Sequence, residues 1–206
     1  MLPVLMFILF ALFTLALLLV DVKAIGAGDS NVGLSTINGW FFSLTGVNLL
    51  WYQITDWLGL LPIAVAVAFA FMGAAQLVNR KSLKKVNREI VFMGAFYVLV
   101  IAFYIFFETA IINYRPIIIY TSPEASYPSS HTMMVICIMW SAAIAVKSMW
   151  GRKKKLCSCV NAVSAIIIAV TVVGRLISGV HWLTDIVGGV LLSSALVLLY
   201  RAAVKN

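Results

Sequence analysis

Long apolar blocks separated by short polar stretches organise the chain. Runs rich in Leu, Ile, Val, Phe and Ala cover about residues 2–20, 57–78, 90–107, 132–150, 156–174 and 186–200. Most approach the ~20 residues that carry a helix across ~30 Å of hydrocarbon. The pattern predicts an all-α, polytopic membrane protein, a bundle of six transmembrane helices forming one domain over residues 1–206. No Lys or Arg precedes the first run, and its 19 apolar residues are long for the core of a signal peptide, so it reads as a spanning helix. The first outer connection, about 21–56, holds Asp21, Asp29, Asp56 and the aromatic stretch GWFFSLTGVNLLWYQITDWLG. Amphipathic rings settle at the headgroup level, so a short interfacial helix is expected between the first and second spans.

Composition agrees: 63% of the 206 residues are hydrophobic and 11% charged, against about 45–50% apolar in a soluble domain. A net charge of +8 would suit nucleic acid, but the positions of the cations point elsewhere. Arg80, Lys81, Lys84, Lys85 and Arg88 follow the second run, Arg152 to Lys155 the fourth, and Arg201 and Lys205 the sixth. If every run crosses, all three clusters share one side. The positive-inside rule makes that side cytoplasmic, with both termini on it, and anionic lipid headgroups are a sufficient partner for the charge. Short loops favour a bacterial plasma membrane. Cys137, Cys157 and Cys159 make an odd number without neighbouring ligands, so neither a disulfide framework nor a metal site is expected.

The same topology sends residues 108–131 and 175–185 to the opposite, extracytoplasmic face, and with them both histidines of the chain, His131 and His181, and two arginines, Arg115 and Arg175. Guanidinium forks match phosphate oxygens and keep their charge. Ser129 and Ser130 stand where a helix begins, so free N–H groups and the helix dipole favour the same anion. His181 and Asp185 are four apart, on one face of a helix starting near Ser178. The carboxylate then accepts a hydrogen bond from one imidazole nitrogen and leaves the other free to attack. His131 would act as general acid. Each piece has a plainer use: PSSH is also an N-cap, His–Asp at this spacing a helix-end bond, and YRP a turn. Their convergence on one face favours a site for a phosphate.

YRP at 114–116, PSSH at 128–131 and GRLISGVHWLTD at 174–185 resemble the three signatures of the type 2 phosphatidic acid phosphatase superfamily, K-x6-R-P, P-S-x-H and S-R-x5-H-x3-D. The resemblance implies metal-independent, cofactor-free hydrolysis of a lipid phosphate or diphosphate, of the phosphatidic acid, phosphatidylglycerol phosphate or undecaprenyl diphosphate class. In it His181 forms a phosphohistidine supported by Asp185, and His131 protonates the leaving group. Arg115, Arg175, Ser129 and the backbone at Ser130 would bind phosphate. A lipid phosphotransferase using the same intermediate, or a non-catalytic lipid-phosphate binder, are the alternatives. Two positions depart from the signatures: Glu108 stands where the family has lysine, and Gly174 where it has serine. Three readings of Glu108 are open: it pairs with an arginine and orients it, which is the favoured one, it recognises a cationic headgroup or a bound cation, or the site is catalytically weak.

Overall fold

The computed structural model describes residues 1–205. Eight α-helices follow one another: α1 (Leu2–Leu19), α2 (Ser35–Thr45), α3 (Leu49–Leu58), α4 (Leu60–Arg80), α5 (Arg88–Thr109), α6 (Ser130–Trp150), α7 (Lys154–Ile177) and α8 (Leu183–Lys205). Two-residue strands, β1 (Lys23–Ala24) and β2 (Asn31–Val32), pair antiparallel in the first connection. Six helical segments are long and apolar enough to cross a membrane, with α3 and α4 counting as one segment of 32 residues.

The expected single interfacial helix is therefore two helices. α2 fits the expectation, but α3 runs into the second span through Gly59, whose backbone is itself helical. Asn48 caps α3 by accepting the Trp51 N–H at 3.2 Å, so the span starts eight residues before its apolar run does. Hydropathy underestimates its length because α3 is mixed, carrying Tyr52, Gln53, Thr55 and Asp56 among apolar residues.

α6 is the axis of the bundle. Its most apolar stretch is 67% buried against 11% for those of α1 and α7, so α6 is largely enclosed by protein whereas they expose most of their apolar surface. Phe10, Leu17, Met93, Tyr127, Met133, Leu192 and Tyr200 form the core around it. With no water in the bilayer to drive apolar burial, close packing and buried polar bonds hold such helices together. The buried Asn38 supplies one set, donating to Thr184 Oγ1 and the Gly33 carbonyl, both at 2.9 Å, and accepting from the Thr184 N–H. That ties α2 to the start of α8. Gly179 has a positive φ of 68° and lies against the Gly46 carbonyl, where a Cβ would collide. This close approach seats the loop before α8 under α2.

Candidate active site

The connection between α5 and α6 folds back on itself: Arg115 N–H donates to the Glu124 carbonyl and Ser126 N–H to the Asn113 carbonyl. This narrow antiparallel turn carries Arg115, Glu124 and Ser126 over the ends of α6 and α8. The Trp182 indole donates to the Tyr114 carbonyl at 2.8 Å, clamping the turn to the α7–α8 loop. The N–H of Ser129 donates to the Asp185 carbonyl at 3.0 Å and joins the starts of α6 and α8. One rim thus holds Arg115, Ser129, Ser130, His131, Arg175, His181 and Asp185.

Around His181 the geometry differs from the expected direct bond. Its Nδ1 is 3.6 Å from Asp185 Oδ2, too long for a hydrogen bond. Ser126 bridges them: its hydroxyl contacts His181 Nδ1 at 3.2 Å and donates a short bond to Asp185 Oδ2. The same carboxylate oxygen accepts the Trp182 N–H at 2.8 Å. Asp185 is fully buried; its Oδ2 accepts both bonds, and its Oδ1 has no partner among the described residues. The 4% exposed His181 keeps Nε2 without a partner among the described residues. Burial, with the positive Arg115 and Arg175 nearby, lowers its pKa to about 4 despite Asp185. The imidazole is therefore neutral near pH 7, the form with a lone pair to attack.

A carboxylate partners each of the other cations. Arg115 Nε pairs with Glu124 at 3.1 Å. Asp56 Oδ1 receives both Arg175 Nη2 at 2.7 Å and His131 Nε2 at 3.2 Å. Arg175, with no exposed side-chain surface, also lies 5.0 Å over the Tyr52 ring. Glu108 pairs with neither arginine among the described residues; Glu124 has the role expected of it. Glu108 instead lines a small cavity with Ser130 and His181. The two serines of PSSH separate in function. Ser129 is the cap, its hydroxyl accepting the Thr132 N–H, whereas Ser130 faces the cavity. The N–H groups of Ser130 and His131 make no bond among the described residues.

Orphaned buried polar atoms gather here. Arg115 Nη1, Arg175 Nε and Nη1, His131 Nδ1 and His181 Nε2 all lack partners among the described residues. An unsatisfied buried polar group costs about 1–3 kcal/mol, more when charged, so several together mark a place built for a ligand rich in acceptors. No cluster of three or more His, Cys, Asp or Glu suited to a metal occurs among the described residues.

Three residues here were not assigned a role from sequence. Ser126 and Glu124 lie in a loop whose pairing has no hydropathy signal, and Asp56 is 75 positions from His131 along the chain. A carboxylate just inside a span was the one available sign for Asp56. Gly174 also finds a reason: a Cβ would run into Thr55 and lie 3.0 Å from the Trp51 ring, so α3 occupies the room a serine would need.

Six spanning helices with a buried, anion-seeking cluster of two arginines and two histidines at one rim define a class of integral membrane protein. The PAP2 superfamily model matches residues 106–206, the half that holds all of those four residues. Over those residues the chain is similar to the PAP2 superfamily. It is also similar in fold to the crystal structure of the first transmembrane PAP2 type phosphatidylglycerolphosphate phosphatase from Bacillus subtilis, with a TM-score of 0.65 over 97% of this chain and 94% of that one, at 19% identity. No curated protein sequence matches the chain.

Proposed function

We propose that the protein is a lipid phosphatase that hydrolyses a phosphate monoester or diphosphate through a phosphohistidine. The carrying observation is the set of orphaned donors on Arg115, Arg175 and His131 around the free Nε2 of His181. Two guanidiniums and the N–H groups of Ser130 and His131 hold the non-bridging oxygens. His181 Nε2 attacks phosphorus while the bond to the lipid oxygen breaks, and His131 gives that oxygen a proton. Water then attacks the phosphohistidine, yields its proton to His131, and leaves as part of inorganic phosphate. Ser126 and Asp185 hold the His181 ring throughout and stabilise its positive charge when phosphorylated.

The lipid end of the substrate has a matching surface. A cavity of about 180 Å³ starts at His131 and Asp56 and continues between Ile63 of α4, Met134 and Ile138 of α6, and Thr171 of α7. The proton donor thus stands where an apolar slot meets the phosphate site, as departure of a lipid alcohol requires. Phosphatidylglycerol phosphate, the substrate class in the name of the similar Bacillus subtilis structure, and isoprenoid diphosphates both have this shape. By the positive-inside rule, the basic ends of the spans support an extracytoplasmic site with both termini cytoplasmic.

The test is release of inorganic phosphate from a panel of lipid mono- and diphosphates by purified protein in detergent with chelator present. Activity is expected with chelator and absent in His181→Ala. Binding of these lipids without turnover, or an absolute need for added divalent metal, would refute the proposal.

A further inference from the structure

At the opposite end of the bundle lies a groove of about 830 Å³, far larger than either cavity at the catalytic rim. α6 packs against both α7 and α8, but these two barely touch each other, so α6 floors a cleft between them. Lys147, Arg201 and Lys205 line it and form no ion pair among the described residues. No Asp or Glu lines it; Glu89 stands beside it, accepting the Ser148 hydroxyl at 2.6 Å. Deeper in, Asn161 and Ser194 offer polar groups with no side-chain partner among the described residues, and Trp140 and Val197 give an apolar wall. From Lys205 to Ser194 the helix rises about 16 Å.

We propose that this groove binds one anionic phospholipid from the leaflet opposite the catalytic site. The three cations would take the phosphate, Asn161 and Ser194 the glycerol ester oxygens, and the Trp140 wall the upper acyl chain. The polarity of the lining follows that of a phospholipid from head to tail. A charge-free chain would not need the cations, and a second copy of the protein would bring its own basic end against them. Asn161 adds to the reading, since its amide lies within a spanning helix, lines the groove and makes no side-chain hydrogen bond among the described residues, so a polar ligand group would satisfy it. The inference stands apart from the catalytic assignment, as it uses none of its residues.

Tryptophan quenching by phosphatidylglycerol brominated on its acyl chains tests it, with the full-length protein in neutral detergent micelles. Saturable quenching is expected, with a component absent in Trp140→Phe. Apparent affinity should fall at least fivefold in a Lys147→Ala, Arg201→Ala, Lys205→Ala variant. It should stay within twofold of wild type in an Arg152→Ala, Lys153→Ala, Lys155→Ala variant, which removes the same charge elsewhere at this end. Equal quenching by brominated phosphatidylcholine, equal losses in the two triple variants, or unchanged quenching in Trp140→Phe would each overturn the proposal. So would a dimer that shields Trp140 from the brominated lipid.

Discussion

Asp56 Oδ1 meets two donors at once, Arg175 Nη2 and His131 Nε2, and leaves both side chains with further unused donor positions. That makes it a positioning carboxylate, which orients the His131 ring and the Arg175 fork and can stay in place while phosphate binds. Asp56→Asn keeps the shape and removes the charge. The expected outcome is a loss of about tenfold to a hundredfold in kcat for lipid phosphates, whose alkoxide needs a proton, within the range of general acid catalysis. Aryl phosphates, with good leaving groups, should lose far less; equal losses would mean a merely structural role. His181 takes up its proton at a lower pH than a surface histidine. With its pKa held near 4 by burial, it stays neutral as pH falls through 6.5, where an unfolded-state histidine gains a proton. Stability from this residue is therefore complete above pH 6.5 and declines between about 6.5 and 4. The acid limb it imposes on kcat/KM is expected well below pH 6.5 once the ionisation of the substrate phosphate is taken into account; a pH–rate series in detergent checks it. Glu108, unpaired among the described residues and facing the cavity with His181, opposes a phosphate dianion. At roughly 8 Å in a half-solvated site one unit of charge is worth about 1 kcal/mol, or about fivefold. Glu108→Lys changes the charge by two units and should therefore lower KM by about twentyfold to thirtyfold with kcat nearly unchanged, and steady-state kinetics with a lipid monophosphate would reveal a rise instead if the carboxylate aids binding.

At the level of elements, the contact between α3 and α7 decides how the family signature is spelled here. Thr55 and Trp51 fill the space beside Gly174, so Gly174→Ser, which restores the residue of the family signature, should overpack the interface by about 1–3 kcal/mol. A drop of several degrees in the thermal midpoint in detergent, with Thr55→Gly recovering part of it, is the expected outcome. The same contact marks what sequence could and could not tell. The long apolar runs made α1, α5, α6, α7 and α8 legible to within a few residues, because hydrocarbon thickness fixes span length and loops of Lys and Arg fix the ends. α3 was not legible, since its mixed face packs on protein and never forms a uniform run. Arg115, Arg175, His131 and His181 could be found because topology sends them to one end. Ser126, Glu124 and Asp56 act through a loop pairing and a helix contact, and neither has a period along the chain. The bond of Ser126 between His181 and Asp185 shows the consequence. Spacing at i and i+4 brought the last two close, but the 3.6 Å between them is closed by a residue 55 positions before His181.

Across the whole molecule, charge and chemistry lie at opposite ends. Residues 81–87 and 151–153 and the C-terminal turn of α8 carry cations without an ion-pair partner among the described residues, while the candidate rim balances Arg115 and Arg175 with Glu124, Asp56 and Asp185. A rim close to neutral would escape the retention that the positive-inside rule applies to free Lys and Arg, so under the proposed function arginines that bind phosphate could lie outside. Orientation then follows from the basic end alone. In a background with Cys157 and Cys159 changed to Ser, Lys84→Cys should be shielded from a membrane-impermeant thiol reagent in right-side-out vesicles and labelled in inverted ones. Thr121→Cys, exposed on the turn above the site, should show the reverse. The buried Cys137 should label in neither and serves as the internal control. Labelling of both introduced thiols from one side would break the six-crossing arrangement, and a swapped pattern would place phosphate release in the cytoplasm. Under the expected pattern, the lipid phosphate must reach the outer leaflet before this rim can act on it, and the basic groove contacts only the inner one.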